Sequence, residues 1–378
     1  MLQAYNNNPE LNAERENINI SKEKINVSKS KFLPSLSITG TKSQEDTKKL
    51  TNQNGSNATI KDTDPLVKSF LIEQTLYDGN NRNSDLEKNK IGLELAKNKI
   101  LKTEQDIFLK AIEAYTGLAL AQKKLIINEA NISLLNRQVD TDRARLERGQ
   151  ITISDLAQSE SSLAGAKAEL IKAQNNVTNS LLLYENIIGP IKLSNFKESN
   201  DIKIDIPSSL SEANEISILN DPNLIIAKLE FEQSKKDIKI ANSNLLPTAT
   251  LSFEASQTDD LSSTYDEREK ATLKATLKWP FYSGGKNRSL INKNKNINNQ
   301  KRLLLDSALK TNKASVSSSW ANFQFSKSLL ESMRSQVKAA QMANEGIIAE
   351  YESGVGRSTL DVIQSNSILL NAKISLAD

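Results

Sequence analysis

The side chains that most often perform acid–base, nucleophilic or metal chemistry are missing, because none of the 378 residues is His or Cys. Without His, the chain lacks the usual general base and the commonest transition-metal ligand. Without Cys, it has no disulfide framework, zinc-thiolate site or thiol nucleophile. Carboxylates are plentiful, but none forms a constellation with a nucleophile, a base or a Gly-rich phosphate loop. The sequence therefore predicts a protein that is not an enzyme and that holds no metal or other cofactor.

The most suggestive polar residues surround two glycine-containing turns. The first turn includes Gly149, Gln150, Ile151, Ser154 and Asp155, and the second includes Tyr351, Gly354, Val355, Arg357 and Asp361. A glycine in the left-handed conformation can end a helix, and a Ser or Thr followed by Asp can cap the next one. Each turn is therefore predicted to be the tip of a helical hairpin. Capping alone would account for the Ser and Asp residues, and a solvated surface charge would account for the Arg.

The two predicted tips belong to an internal duplication. Asn8-Pro9-Glu10-Leu11 recurs 213 residues later as Asp221-Pro222-Asn223-Leu224, and Tyr77-Asp78-Gly79 matches Tyr282-Ser283-Gly284 at an offset of 205. Self-similarity at a fixed offset indicates that both halves contain the same order of elements. We expect a first repeat over residues 1–189, a polar linker over 190–215 and a second repeat over 216–378.

Long helices dominate both predicted repeats. An opening helix should run from Pro9 to Lys31 and from Pro222 to Asn244, since proline suits the first helical position. Longer helices carry apolar residues at seven-residue spacing in one register, which predicts equivalent coiled-coil helices. Those residues are Ala111, Leu118, Leu125, Ile132, Val139 and Leu146 in one half, and Leu309, Val316, Phe323, Leu330 and Val337 in the other. The first long helix, about Asp85 to Arg148, would extend roughly 95 Å.

Return helices are expected from Asp155 to about Ile188 and from Asp361 to the end of the chain. The repeat offset implies that the last helix lacks about fifteen residues. No signal peptide is recognisable in Met1-Leu2-Gln3-Ala4-Tyr5, which has neither a basic region nor an apolar core. We therefore expect a mature or truncated chain.

Four segments alternate between apolar and polar residues, which predicts strands after Pro34, over 66–77, from about 250 to 256, and over 271–282. Loops are expected over 44–64 and 257–269. No run of about 18 apolar residues exists, so no membrane-spanning helix is predicted. Strands of roughly ten residues are long enough to cross a bilayer within a β-barrel. Four strands cannot close a barrel alone. Glu73, Lys274 and Lys278 fall on the polar face, and four aromatic residues cluster at one strand end, as in an interfacial belt: Tyr77, Trp279, Phe281 and Tyr282. Two ordinary hairpins with one wet face would show the same alternation.

The composition suits long helices that each bury one stripe, with 38% hydrophobic and 5% aromatic residues. The 49 basic and 46 acidic residues are mixed along the chain, so no basic face for nucleic acid is predicted. The predicted fold class is α+β with predominantly long α-helices.

In their order and duplication, several segments resemble the TolC-type outer-membrane efflux and type I secretion channel family over essentially the whole chain. They are the Asn-Pro-Glu-Leu opening at Asn8, the Leu-Pro before each first strand, Tyr-Ser-Gly-Gly at Tyr282, and the stretch from Tyr351 to Val362. The resemblance implies a homotrimer whose protomers each contribute four strands to a twelve-stranded β-barrel and their long helices to a coiled-coil α-barrel.

As its function, the resemblance implies a passive exit duct of a tripartite efflux pump or a type I secretion system. The duct would contact lipid in the outer membrane of a Gram-negative bacterium, with its helices in the periplasm. Its partners would be a periplasmic adaptor (membrane fusion) protein and an inner-membrane transporter of the ABC or RND type. A soluble coiled-coil scaffold with exposed β-hairpins is the alternative, and it predicts no membrane association.

The resemblance also implies roles for the tip residues. Ser154 and Asp155 would join Tyr351 and Arg357 in closing the tunnel, and Asp361 would line its entrance. The tips themselves would dock the adaptor through Gly149, Gln150, Ile151, Gly354 and Val355. The chain departs from the family pattern at Gln364, where some members carry a second entrance carboxylate, and at Val355-Gly356, which adds one residue.

Overall fold

A computed structural model describes residues 5–6, 8–49, 51, 53–57, 62–193, 196, 205–262, 265–354 and 356–378. Val355, one of the predicted tip residues, lies outside this set. The chain divides into two compact units that each draw on both halves of the sequence. One unit contains Met1–Ala13, Leu101–Asn220 and Thr311–Asp378, and the other contains Glu14–Ile100 and Asp221–Lys310.

Seven helices and four strands are named here within the described residues. The helices are α1 (Pro9–Ser30), α2 (Asn81–Glu147), α3 (Ile153–Ile187), α4 (Leu210–Asn220), α5 (Pro222–Ser243), α6 (Lys286–Glu352) and α7 (Thr359–Ala377). The strands are β1 (Ser35–Lys42), β2 (Leu66–Tyr77), β3 (Thr248–Asp259) and β4 (Glu267–Lys278). The long helices α2 and α6 both have 67 residues. Helix α4 includes the last six residues of the segment predicted as a polar linker.

The strands form one antiparallel sheet in the order β1-β2-β3-β4, and its two faces differ in polarity. Adjacent cross-strand rows on one face are Ile38, Phe70, Ala255 and Ala271, then Leu36, Ile72, Phe253 and Leu273. Rows on the other face are Thr39, Ser69, Ser256 and Lys270, then Ser35, Glu73, Ser252 and Lys274. We call these the apolar face and the polar face.

Tyr77 reaches the apolar face through an irregularity in β2. The pairing with β3 shifts between Thr75 and Tyr77, so that Tyr77 lies opposite Ala249, and Ala249 lies opposite Leu277. A bulge adds one residue to a strand, and one residue reverses the face that a side chain occupies. Strict alternation would have placed Tyr77 on the polar face.

Strand β4 ends four residues before its predicted end. Proline cannot donate to the ladder, so Pro280 ends the pairing, and the last paired residue is Lys278. The aromatic residues Trp279, Phe281 and Tyr282 therefore follow the strand and are exposed, and Trp279 Nε1 donates to the Leu245 carbonyl at 3.1 Å. At the other end, pairing continues from Gln257↔Glu269 to Asp259↔Glu267, so the predicted loop over 257–269 is shorter.

Arg82 anchors the end of β2 at the start of α2. Its Nε donates to Asp78 Oδ2 at 3.0 Å, its Nη1 donates to the Thr75 carbonyl at 2.9 Å, and its guanidinium lies 5.0 Å from the centroid of the Phe32 ring. Both partners of this ion pair are largely shielded from solvent. The charge-assisted bonds fix the turn through which the sheet joins the long helix.

Helix α2 buries a coiled-coil seam in the unit that contains Leu101–Asn220. Residues at spacings of three, four or seven positions are buried: Ile107, Ala111, Ala114, Leu118, Ala121, Asn128, Leu135, Val139 and Asp142. Helix α3 contributes Ser159, Ala166, Ala173 and Val177. Such spacing places one stripe of each helix against its neighbour. The aromatic ring of Phe196 lies 5.0 Å from that of Tyr115 and 6.1 Å from that of Tyr184, which ties part of the predicted linker to the pair.

The heptad residues of α6 are less covered than their counterparts. Leu309, Phe323 and Leu330 are exposed, while Val337 packs against the buried cluster of Ala340, Leu369 and Ala372. The matching register of the two ladders therefore does not give matching burial within a single chain. Among the described residues, no helix is both long enough and apolar enough to span a membrane.

Candidate functional site

The first candidate tip is a glycine-capped turn between α2 and α3. Gly149 has φ +67°, its N–H donates to the Leu146 carbonyl at 2.9 Å, and the Gln150 N–H donates to the Arg145 carbonyl at 2.9 Å. These two bonds define a Schellman motif, which satisfies carbonyl groups that the end of a helix leaves unpaired. In the second tip, between α6 and α7, Gly354 has φ +79° and Gly356 has φ +66°.

Capping boxes start both return helices. Thr152 caps α3 and exchanges hydrogen bonds with Asp155, and Ser358 caps α7 and exchanges hydrogen bonds with Asp361. Bonds from the backbone and hydroxyl of the cap stabilise each carboxylate, so the pKa of Asp155 and the pKa of Asp361 are lowered. The cap of α3 is therefore Thr152, and Ser154 is an exposed residue in the first turn of that helix.

A buried carboxylate joins the two hairpins. Asp142 of α2 has 0% exposure, and its Oδ1 accepts a 2.6 Å hydrogen bond from the hydroxyl of Tyr351, which is 3% exposed. Ser159 of α3 donates to Asp142 Oδ2, and Gln138 Nε2 lies 2.9 Å and 3.1 Å from the two carboxylate oxygens. A buried charge is costly unless several donors satisfy it, so this cluster requires that all its members keep their positions.

Tyr351 is held on its other sides as well. Its hydroxyl lies 3.1 Å from Thr359 Oγ1, and the guanidinium of Arg145 lies 4.1 Å from the centroid of its ring. Burial, together with the hydrogen bond to Asp142, raises the pKa of the Tyr351 hydroxyl, so it stays protonated and donates. Arg145 Nη2 also donates to the Tyr351 carbonyl at 2.7 Å, at the end of α6 where a cation is favourable.

Arg357 lies in a different environment. Its Nε donates to Glu350 Oε2 at 2.6 Å, and both side chains are substantially exposed. The Glu350 carboxylate raises the pKa of Arg357, which remains charged. An exposed pair of this kind contributes little stability because solvent and salt screen it.

A groove of about 1050 Å³ separates the two tips. Its walls include the predicted tip residues Gln150, Ile151, Asp155, Tyr351, Gly354 and Arg357. Arg145 and Arg148 also line the groove, so that together with Arg357 it contains three arginines. The structure thus brings six predicted tip residues from two distant parts of the chain to one surface, whereas Gly149, Ser154 and Asp361 are not among the residues that line it.

Within this chain, the structure does not pair Ser154 and Asp155 with Tyr351 and Arg357. Tyr351 contacts Asp142 and Thr359, and Arg357 contacts Glu350. Asp142 and Arg145 belong to the site although no motif in the sequence pointed to them. A signal for Asp142 was present, since it lies seven residues after Leu135 on the seam where apolar residues are expected.

In the part of the chain described, no group of three or more acidic residues could hold a metal ion.

Long helical hairpins with capped tips, joined to a small antiparallel sheet, define a known class of outer-membrane channel fold. The outer membrane protein VceC from Vibrio cholerae matches with a TM-score of 0.85 and 14% identity, over 99% of this chain and 90% of that one. The Campylobacter jejuni CmeC outer membrane channel matches with a TM-score of 0.82 and 14% identity, over 99% of this chain and 80% of that one. The predicted fold class is confirmed.

A family model described as outer membrane efflux protein matches residues 2–189 and 215–378, and the chain belongs to that family. Outer membrane efflux protein BepC from Brucella suis biovar 1 is 26% identical over all of this chain and 80% of its own length. Outer membrane protein TolC from Escherichia coli is 24% identical over 73% of this chain and 58% of its own length. Proteases secretion protein PrtF from Dickeya chrysanthemi is 23% identical over 72% of this chain and 61% of its own length. The predicted family resemblance is confirmed.

Proposed function

We propose that the chain is one protomer of a trimeric exit duct that carries substrates across the outer membrane of a Gram-negative bacterium. The two-faced sheet is the observation that carries this proposal. From Ala271 to Leu277, the apolar face extends about 20 Å along β4, at roughly 3.4 Å per residue, and the aromatic cluster of Tyr77, Trp279, Phe281 and Tyr282 lies at one end. Those dimensions suit the lipid-facing band of a membrane strand.

Trimerisation would close the sheet. β1 and β4 are its edge strands, and hydrocarbon does not tolerate unpaired backbone groups. If β4 of each copy pairs with β1 of the next, three copies form a twelve-stranded barrel whose polar face lines the lumen. The helices then extend into the periplasm, where the exposed heptad residues of α6 can pack against other helices.

The hairpin tips are proposed as the gated entrance and as the docking site for a periplasmic adaptor. In support, polar residues and Gly354 line the tip groove, and Gly149 is exposed at the neighbouring turn. Asp142 and Tyr351 would hold the two hairpins of a protomer together in the closed state. Ser154 and Arg357 are exposed, and Asp155 and Asp361 are half-buried, so another copy would contact them. An inner-membrane transporter of the ABC or RND type would supply the substrate.

Disulfide cross-linking tests the trimer, because the chain has no native Cys. Three double variants would each combine Thr39→Cys on β1 with one substitution on β4: Lys270→Cys, Thr272→Cys or Lys274→Cys. Each protein would be oxidised in membranes. A ladder ending at a trimer on a non-reducing gel is expected for at least one pair. The matched control is Ser69→Cys with Ser256→Cys, which face each other within one sheet and should give monomers only. If all three double variants stay monomeric after oxidation and the protein does not bind membranes, the proposal is contradicted and a soluble scaffold is favoured.

A further inference from the structure

The basic residues of the polar face are concentrated on one strand. Arg268, Lys270, Lys274 and Lys278 of β4 lie opposite Thr258, Ser256, Ser252 and Thr248 of β3, so all four lie on the polar face. All four are exposed, and among the described residues none forms an ion pair within 4.0 Å. We call these four residues the basic strand.

Carboxylates on the same face do not balance the basic strand. The polar face has two of them, Glu73 and Glu254, and each lies opposite an uncharged residue of the neighbouring strands: Ser35 and Ser252 for Glu73, and Leu71 and Thr272 for Glu254. Cations therefore outnumber carboxylates by four to two on this face. Carboxylates prevail on the apolar face, where Lys68 Nζ lies 3.5 Å from Asp259 Oδ2 and Gln257 Nε2 donates to Glu267. The positive excess is thus confined to one side of the sheet.

The geometry of the basic strand fits an extended chain. Lys270, Lys274 and Lys278 recur every four residues, or about every 13 Å along a strand. An extended polypeptide that lies alongside β4 has the same rise per residue, so its carboxylates can meet successive lysines. A lumen with low-dielectric walls focuses the field of such charges and raises the local concentration of counterions.

From these observations we propose that the basic strand is a binding track for acidic polypeptide segments in extended conformation, which it guides through the exit duct. This inference rests on the proposed function, because the polar face faces a lumen only in the closed barrel. It identifies carboxylate-rich polypeptide as the class of cargo that the barrel section favours. Three copies of the track would surround the lumen.

The test is single-channel recording of the trimer in a planar bilayer, with poly-L-glutamate added on the barrel side. We expect the polymer to block the current, and poly-L-lysine of equal length to have no effect. Lys270→Gln/Lys274→Gln/Lys278→Gln should weaken the block about tenfold or more, since three of the four cations are removed. Glu73→Gln/Glu254→Gln should strengthen it.

The matched control is Lys42→Gln/Lys68→Gln, which removes two cations from the other face of the same sheet and should leave the block unchanged. Stable channels that poly-L-glutamate does not block would overturn this inference and leave the proposed duct intact. Equal block by polygalacturonate would overturn the preference for polypeptide. If no channel forms at all, both proposals are overturned.

Discussion

The hydroxyl of Tyr351 donates a 2.6 Å hydrogen bond to Oδ1 of Asp142, and this bond joins residues that are 209 positions apart. It connects the end of α6 to α2, and so the second hairpin to the first. Since Asp142 is fully buried, the bond replaces solvent that the carboxylate has lost. Separating the hairpins would expose this cluster to water, so its members decide how firmly the two tips stay together.

Tyr351→Phe tests that role. It keeps the ring beneath Arg145 but removes one donor from a buried carboxylate, a loss of about 1–3 kcal/mol. We expect closed-state conductance to rise and the melting temperature to fall. Tyr265→Phe, at an exposed loop tyrosine, is the control and should change neither. Unaltered conductance and stability in Tyr351→Phe would show that the hydrogen bond does not hold the tips.

Arg145 and Arg357 of the tip groove are expected to differ in their contribution to stability. Arg145→Met removes a contact with the Tyr351 ring and hydrogen bonds to the end of α6, which should destabilise the tip by about 2 kcal/mol. Arg357→Met removes an exposed pair with Glu350 and should leave stability almost unchanged. Chemical denaturation of both variants measures the difference. The reverse ranking would contradict the assignment, and Glu350→Gln should reproduce whatever Arg357→Met does.

The capping boxes make the tips sensitive to acid. The pKa of Asp155 and that of Asp361 are lowered from 3.8 in the folded protein, so their stabilisation is fully present above the unfolded pKa. It is lost as the pH falls through the folded pKa. The protection of backbone amides against hydrogen exchange at the starts of α3 and α7, corrected for the intrinsic exchange rate at each pH, should therefore fall below about pH 4. Asp155→Asn/Asp361→Asn should flatten this dependence, whereas Asp140→Asn, which removes a charge without a cap, should not.

Gly79 and Gly284, which match in the internal duplication, should respond differently to alanine. Both have positive φ, +65° and +60°, and alanine strains each by about 1–2 kcal/mol. A Cβ at Gly79 would lie 2.8 Å from Leu246 Cβ and 3.0 Å from the Ser243 carbonyl oxygen, whereas at Gly284 it meets nothing within 4 Å. Gly79→Ala should therefore lower the melting temperature several degrees more than Gly284→Ala. Equal shifts would contradict the predicted clash.

Two neighbouring residues of β4 distinguish the faces of the sheet. Leu273 is 71% exposed in the single chain, and Leu273→Arg should hinder membrane insertion by about 2–4 kcal/mol because the apolar face is proposed to meet lipid. Thr272→Arg places the same side chain on the polar face and should insert normally. Fractionation of outer membranes compares the two. Equal insertion of both variants would indicate that neither face meets lipid.

Much of the architecture could be predicted because it follows from local patterns. The capping residues, the glycines with positive φ and the alternating strands are visible in short segments, and the structure has them within a few residues. Predictions failed where pairing partners intervene. The bulge before Tyr77 and the early end of β4 at Lys278 depend on how neighbouring strands align, which alternation within one segment does not specify.

The sequence by itself indicated the family through motifs and their order along the chain. It also determined the fold class, the periodic stripes of the long helices and the position of both tips, since these depend on residues close together in the chain. Only the tertiary structure decided which residues meet across the tips. Asp142 and Arg145 became part of the site because α2 lies beside the end of α6. Side chains separated by some two hundred residues are brought together by packing of whole helices, and no local spacing encodes that distance.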